Sequence, residues 1–332
     1  MQKEILMYSA HPDITPWDLK NLSWFKKSIG IEDLQNVQDI FQQNNIKAFT
    51  MWSEDYHYKF HSIPAKPYII HYMWDISLLD KNILGIVWPR KPTNYSNKVL
   101  RKLFEHAQNY DLATISGMAD GVDQMAHALS VKYKIPTIAV LWWWLNFYLK
   151  WPQRHIIESI VEHGWLVISE YKINFKPAKY SFPQRNRLIA WLCDVLFLPE
   201  AWEKSWSLIT ADFANKISRP VYVTPNDIFL STSVGVNQLL ASELAKPILD
   251  FEWFLSQNFK KSGVKKTATT QVQNLPPEQD QIINLLSKSG ELSLSTLVQK
   301  TKLDTDTLMQ HITLLEMNNH IYQNVPGSYR VC

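Results

Sequence analysis

From residue 67 onward, short apolar runs alternate with longer amphipathic ones: NILGIV, NKVLRKLFEHAQNY, LATIS, GVDQMAHALSVKY, PTIAVL, RHIIESIVEHG and LVISEY. The short runs carry the near-continuous hydrophobicity of strands buried on both faces, and the longer ones the three-to-four periodicity of helices. The alternation continues through RNRLIAWL, DVLFLPE, SLITADFANKI and PVYVTP. Strand followed by helix, repeated, predicts a Rossmann-like α/β fold with a doubly wound, mostly parallel sheet over 66–258. Ahead of it, DLKNLSWFKKSIG and IEDLQNVQDIFQQNN are amphipathic and are broken at Gly30 and at Asn44 and Asn45, which predicts a small helical N-terminal domain over 1–65. The stretch KKSGVKKTATTQVQNLPPEQ, lysine-rich with a double proline and few large apolar residues, has the composition of a linker, which is placed over 259–276. Over 277–332, three amphipathic segments precede HIYQNVPGSYRV, which reads as a hairpin turning at Pro-Gly, so the pattern predicts a winged-helix domain.

Composition narrows the class. A chain of 332 residues that is 46% hydrophobic and 20% charged is neither fibrous nor disordered. It contains no run approaching the roughly eighteen apolar residues of a membrane span. The start MQKEILMYSA lacks a charged-then-apolar leader pattern, so a cytoplasmic protein with no membrane partner is expected. Two cysteines, Cys193 and Cys332, make neither a disulfide framework nor a thiolate metal site, and histidine offers no HExxH spacing. No metal is expected. A net charge of +3 demands that any basic surface be local.

In an open α/β sheet, ligands bind beyond the carboxyl ends of the strands, where loops run into helix N-termini. The loops VWPRKPTNYS, SGMADGVDQMAH, LWWWLNFY and SEYKINFKPAKYSFPQRNR occupy such junctions and bring Arg90, Ser116, Gly117, Lys179, Phe182, Arg185, Asn186 and Arg187 to one edge. Guanidinium forks match phosphate oxygens, and an aromatic ring beside them stacks on an unpaired base. Taken alone, the RNR triplet reads as the solvated start of an apolar helix; together with Lys179 and Arg90 it reads as a phosphate-binding edge. Asp120, Asp123 and His127 fall on one helical turn, but they fit an N-cap, a first-turn dipole partner and a half-buried helix residue better than a metal site. Glu170 and Glu200 end strands without an evident nucleophile or paired carboxylate, so no catalytic residues are assigned.

These blocks, in this order, resemble the DNA-processing protein A (DprA/Smf) family. IVWPRKPTNYS looks like its IVGSR loop, SGMADGVDQMAH like SGxAxGID..AH, SFPQRNRLIAWL like FP.RNRIIAGL, and SWSLITADFA like SGSLITA..A. The VTPN…SVGVNQLL segment and the ending LLEMNNHIYQNVPGSYRV extend the likeness over most of the chain. The resemblance implies sequence-independent binding of single-stranded DNA, without a cofactor, by Arg90, Ser116, Gly117, Lys179, Phe182, Arg185, Asn186 and Arg187, protection of that strand, loading of the RecA recombinase, and a homodimer formed near residues 237–240. The alternatives are a Rossmann-like nucleotide phosphoribohydrolase, whose PGGxGT-type loop is missing here, and a winged-helix transcriptional module. The second of these is disfavoured by a recognition segment, DTDTLMQHITLLEMNNH, without Lys or Arg.

One departure is systematic. Average usage predicts about 23 glycines in a chain this long, whereas the 9 glycines reach that number only together with the 14 tryptophans. Where the family pattern has glycine, this chain has Trp74, Trp88, Trp165, Trp191 and Trp206, and the run Trp142, Trp143, Trp144. Turns and close approaches call for glycine because only glycine lacks a Cβ. The pattern is that of opal codons decoded as glycine in the source organism; the alternative is a diverged paralogue in which indoles fill these sites.

Overall fold

The computed structural model describes residues 5–6, 8–9, 31–87, 93–143, 154–172, 181–263, 276–317, 320–325 and 327–331. Arg90, Lys179, Trp88 and Trp144 lie outside these, and so does the side chain of Phe182. The chain divides into two compact units, Met1–Lys265 and Lys266–Cys332.

In the first unit, helix α1 (Ile31–Gln43) leads into strand β1 (Ile46–Thr50), which pairs antiparallel with β2 (Ile69–Met73). Then follow β3 (Ile83–Ile86), α2 (Asn94–Ala107), β4 (Ala113–Ser116), α3 (Val122–Tyr133), β5 (Thr137–Leu141), α4 (Arg154–Glu162), β6 (Leu166–Ser169) and α5 (Ser181–Leu192). The unit continues with β7 (Val195–Leu198), α6 (Trp206–Lys216), β8 (Val221–Val223), α7 (Val234–Ala241), β9 (Lys246–Pro247) and α8 (Phe251–Asn258). Among the described residues these strands form one nine-stranded sheet in the order β1-β2-β6-β5-β4-β3-β7-β8-β9, parallel from β6 to β9. The doubly wound, mostly parallel sheet expected from the alternation is therefore present. From β3 the chain winds outward through β4, β5 and β6, then returns to place β7 on the other side of β3, so the topological switch lies between β3 and β7.

Strand residues divide between the two faces by the period of two. Leu196 and Leu198 pack with α5, α6 and α7, whereas Val195 and Phe197 pack with α2, α3 and α8. On that second face, beneath β5 and β6, Ala139, Leu141 and Val167 meet α1 and α4. Strands covered on both faces explain why the sequence shows apolar runs rather than alternation.

Two boundaries differ from the sequence reading. Residues 46–50, expected within a helical domain ending at 65, form an outer strand of the sheet. IKAFT is short, and its register against β2, from Ile46–Met73 to Thr50–Ile69, is a non-local pairing that local periodicity does not reveal. Residues 259–262, expected in the linker, are fastened to the body. Asp111 N donates to Lys260 O at 2.8 Å, Ser262 N to Asn109 O at 2.9 Å, and Lys261 Nζ pairs with Glu252 at 2.8 Å.

The second unit contains α9 (Pro277–Ser289), β10 (Glu291–Ser293), α10 (Leu294–Thr301), α11 (Thr305–Met317), β11 (Ile321–Val325) and β12 (Ser328–Val331). Ile282, Leu286, Leu297, Leu308, Ile312, Leu315, Ile321 and Tyr329 form its core. The hairpin was legible from Pro-Gly; β10, which pairs with β12 to complete a three-stranded antiparallel sheet, was not.

Candidate nucleic-acid interface

At the carboxyl edge, the loop after β4 and the first half of α5 are built into each other. Ser116 Oγ donates to Ile86 O at 2.7 Å, tying the end of β4 to β3. Gly117 follows without a side chain, and the guanidinium of Arg185 fills the space that its Cβ would need. Arg185 reaches across from α5, with Nη1 donating to Gly117 O and to Val140 O of β5, and Nε donating to Asn186 Oδ1 at 3.0 Å. It is fully buried. A glycine is therefore required at 117 not by backbone torsion but by a cation lying against it.

The RNR triplet does not precede the helix, as the sequence suggested, but lies inside it. FPQ takes up the first turn, because proline early in a helix forfeits only an N–H that has no intrahelical partner. Arg187, 8% exposed, pairs with Glu170, which sits just beyond β6. Tyr171, next along, donates from Oη to Ser181 O at 2.8 Å and pins the start of α5 to the end of β6. Asn186 is also buried. The structure thus brings Ser116, Gly117, Arg185, Asn186 and Arg187 together, but as a mutually engaged and largely buried group rather than a displayed row of cations.

The acidic and imidazole groups on α3 serve this loop. Asp120 is exposed and accepts from Gln124 Nε2 at 2.9 Å; the N-cap is Gly121, at φ +92°, and not Asp120. Asp123 is buried, and its Oδ2 accepts from Ala119 N at 3.2 Å. Burial pushes the Asp123 carboxyl up to about 6, against the pull of Arg185 and the loop hydrogen bonds. His127 is fully buried rather than half-buried. Its Nδ1 lies 2.8 Å from Thr137 Oγ1, in a chain of buried hydroxyls linking Thr137, Thr114 and Ser130. Burial, reinforced by Arg185, lowers the His127 pKa to about 3. No group of three or more His, Cys, Asp or Glu among the described residues is arranged to hold a metal ion.

A neutral buried imidazole has a consequence for acid stability. The unfolded chain protonates His127 near 6.5, while the folded chain resists protonation down to about 3. A depressed folded-state pKa contributes stability above the unfolded value, and that contribution is lost as the pH falls. His127→Gln should therefore make the pH dependence of unfolding free energy shallower by about 1.4 kcal/mol per pH unit between roughly pH 6 and pH 4. Urea midpoints across that range measure it; parallel curves for the two proteins would contradict it.

At the switch between β3 and β7, the N-terminus of α2 is already occupied. Glu200, fully buried at the end of β7, accepts from Thr93 Oγ1 at 3.0 Å and from Ser96 Oγ, while Thr93 Oγ1 caps Ser96 N. In nucleotide-binding relatives of this architecture a phosphate takes that position. Sequence reasoning missed both glutamates' roles: Glu170 as the counter-ion of Arg187, and Glu200 as the acceptor of the Thr93 and Ser96 hydroxyls at the start of α2. Their place at strand ends was the available signal, but their partners lie far away in sequence.

The tryptophans divide. Trp74 has φ +71°, the left-handed region that favours glycine, and is 41% exposed. Trp206 opens α6 and is 49% exposed. Trp142 and Trp143 meet edge to face, with ring centroids 4.7 Å apart, just past β5. Trp191, by contrast, does not clash. It is buried, donates from Nε1 to Ser62 O at 3.1 Å, and packs near Phe213.

The family described as DNA recombination-mediator protein A matches residues 47–258. Among curated relatives, Protein Smf of Synechocystis is 33% identical over 227 residues, covering 63% of this chain and 57% of that protein. The DNA processing protein DprA of Bacillus subtilis is 31% identical over 197 residues, covering 59% of this chain and 66% of that one. The aligned part therefore spans less than two thirds of either relative. Among solved structures, the Helicobacter pylori DNA processing protein A, described for its single-stranded-DNA-binding mode, superposes with a TM-score of 0.58 at 30% identity, over 64% of this chain and 94% of that one. The Streptococcus pneumoniae protein shares the fold, with a TM-score of 0.60 at 24% identity over 79% of this chain and 94% of that one.

Proposed function

Since the chain belongs to the DNA recombination-mediator protein A family, we propose that it binds single-stranded DNA without sequence preference and protects it during DNA processing and recombination. The observation that carries this reading is the join between α5 and the loop after β4. Arg185 locks the RNR helix onto Gly117, so the two segments that the family uses for DNA form one continuous edge. Phosphates lie against Arg90, Lys179 and Arg187, with the backbone of residues 116 and 117 at the floor and a base stacked on Phe182. No cofactor is needed. The carboxylate of Glu200 at the α2 N-terminus supports this, since a nucleotide's phosphate brought there would meet a negative charge.

The finer parts of the reading rest on the family likeness. The bound strand is passed to a RecA recombinase, two copies of the chain associate near residues 237–240, and the second unit is a winged helix whose α11 is too acidic for the DNA major groove. The protein acts in the cytoplasm as a binding protein and not as an enzyme; no helix among the described residues is long and apolar enough to cross a membrane.

Salt dependence tests the reading. Four cations on phosphates, as the sequence alone suggests, give a slope of log affinity against log salt of about −2.8, and with Arg185 turned inward three give about −2.1. Fluorescence anisotropy of an oligothymidylate titrated at several salt concentrations measures the slope. A flat response, or preference for a duplex, would refute single-strand binding.

A further inference from the structure

Arg185 lies in the motif taken for DNA contact, yet its surroundings are those of a structural clamp. It is fully buried, and its guanidinium donates to two backbone carbonyls, Gly117 O and Val140 O, and to Asn186 Oδ1. The space it fills is the space a Cβ on residue 117 would take. Beyond Gly117, the loop passes through Met118 at φ +55° and turns back so that Ala119 N reaches the Asp123 carboxylate. A bulky residue in the left-handed region is strained and persists only where its surroundings hold it. Two charged side chains do so here: Arg185 grips the loop by a carbonyl on one side, and Asp123 grips it by an amide on the other. The loop is thus held from both sides by buried side chains.

We infer that Arg185 is a positioning residue that contributes no phosphate contact: it acts on single-stranded DNA through the loop of residues 116–119, which it holds in its binding conformation together with Asp123. The inference rests on the proposed single-strand binding for its affinity readout, but not for its structural one. It divides the RNR motif into unequal halves. Arg185 faces the protein, whereas Arg187, paired with Glu170, keeps buried Nε and Nη1 atoms that find no partner among the described residues. Of the two, Arg187 lies nearer the surface, at 8% exposed against none for Arg185.

The two roles leave different signatures in a salt titration. A cation that touches phosphate releases a counter-ion, so its loss weakens binding and also reduces the slope by about 0.7. A positioning residue weakens binding without changing the slope. For Arg185→Gln and the milder Arg185→Lys, we expect oligothymidylate affinity per folded molecule to fall, by about tenfold for the former, the scale of one charge-assisted hydrogen bond. The salt slope should equal that of the parent. Gly117→Ala, which keeps every cation but displaces the guanidinium, should reproduce the loss. Arg185→Lys, which can still reach one carbonyl, should recover part of it. Hydrogen exchange at Ala119 N should accelerate in Arg185→Lys while the core strands keep their protection.

A slope shallower by about 0.7 in Arg185→Gln, which removes the cation, would overturn the inference in favour of direct contact, and so would unchanged affinity per folded molecule. If the parent fails to bind single strands, the proposed function fails. The positioning role then stands or falls on the exchange of Ala119 N, and unchanged exchange there would overturn it.

Discussion

Peptides spanning residues 74, 142–143, 191 and 206, recovered from the protein made in its own host, are expected to show glycine masses at those positions and not tryptophan. Composition first suggests it: glycine falls short by the number of tryptophans in excess. The structure adds independent grounds. Indole carries the largest apolar surface of any side chain and is highly buried on average, yet Trp52, Trp74, Trp202, Trp206 and Trp253 are all at least 40% exposed. Phe49, Phe60, Phe104, Phe197 and Phe254 behave as large aromatics should and are fully buried. Trp74 also occupies a backbone conformation that costs a non-glycine residue about 1–2 kcal/mol. In protein made with tryptophan, Trp74→Gly should accordingly leave stability unchanged or raise it, where most substitutions lower it. Tryptophan masses throughout would refute the decoding and leave indoles as this chain's own filling of its turns. The buried, hydrogen-bonded Trp191 is the position where the two outcomes differ most for packing. A glycine there empties a volume lined by Ser62 and Phe213, which the neighbouring helices would have to close.

Glu170→Ala should cost about 3–5 kcal/mol of unfolding free energy, the scale of stranding one member of a buried ion pair. The Arg187 guanidinium has its remaining buried nitrogens without partners among the described residues, so removing the carboxylate leaves a desolvated charge with nothing to offset it. The same burial raises the pKa of the Glu170 carboxyl, opposed by Arg187 and Arg185. Replacing both members, as in Glu170→Leu with Arg187→Leu, should restore most of the stability, because the pair's net contribution after desolvation is small. Denaturant unfolding of the single and double variants measures the coupling. A single variant as stable as the parent would show that the pair is solvated and open.

Much of the fold was legible because strands covered on both faces leave an unmistakable trace of apolar runs between amphipathic ones. β1 was not, since five residues paired to a strand some twenty positions on carry no local signature. At the site, the convergence of residues 116–117 and 185–187 followed from the rule that strand carboxyl ends share an edge. Which way each side chain faces did not follow. An arginine in a sequence is equally a phosphate ligand or a clamp on carbonyls, and only the distances to Gly117 and Val140 distinguish the two. The same applies to Glu200: a strand-end carboxylate reads as a candidate acid until Thr93 and Ser96 are found beside it.

The far edge of the sheet carries a different consequence. β9 is only Lys246 and Pro247, both exposed, at the margin of an otherwise buried sheet. Proline has no amide hydrogen to offer an incoming strand, and a lysine side chain obstructs close stacking of backbones. Strand addition is therefore blocked at this margin, and with it the commonest route from a stable monomer to a growing fibre.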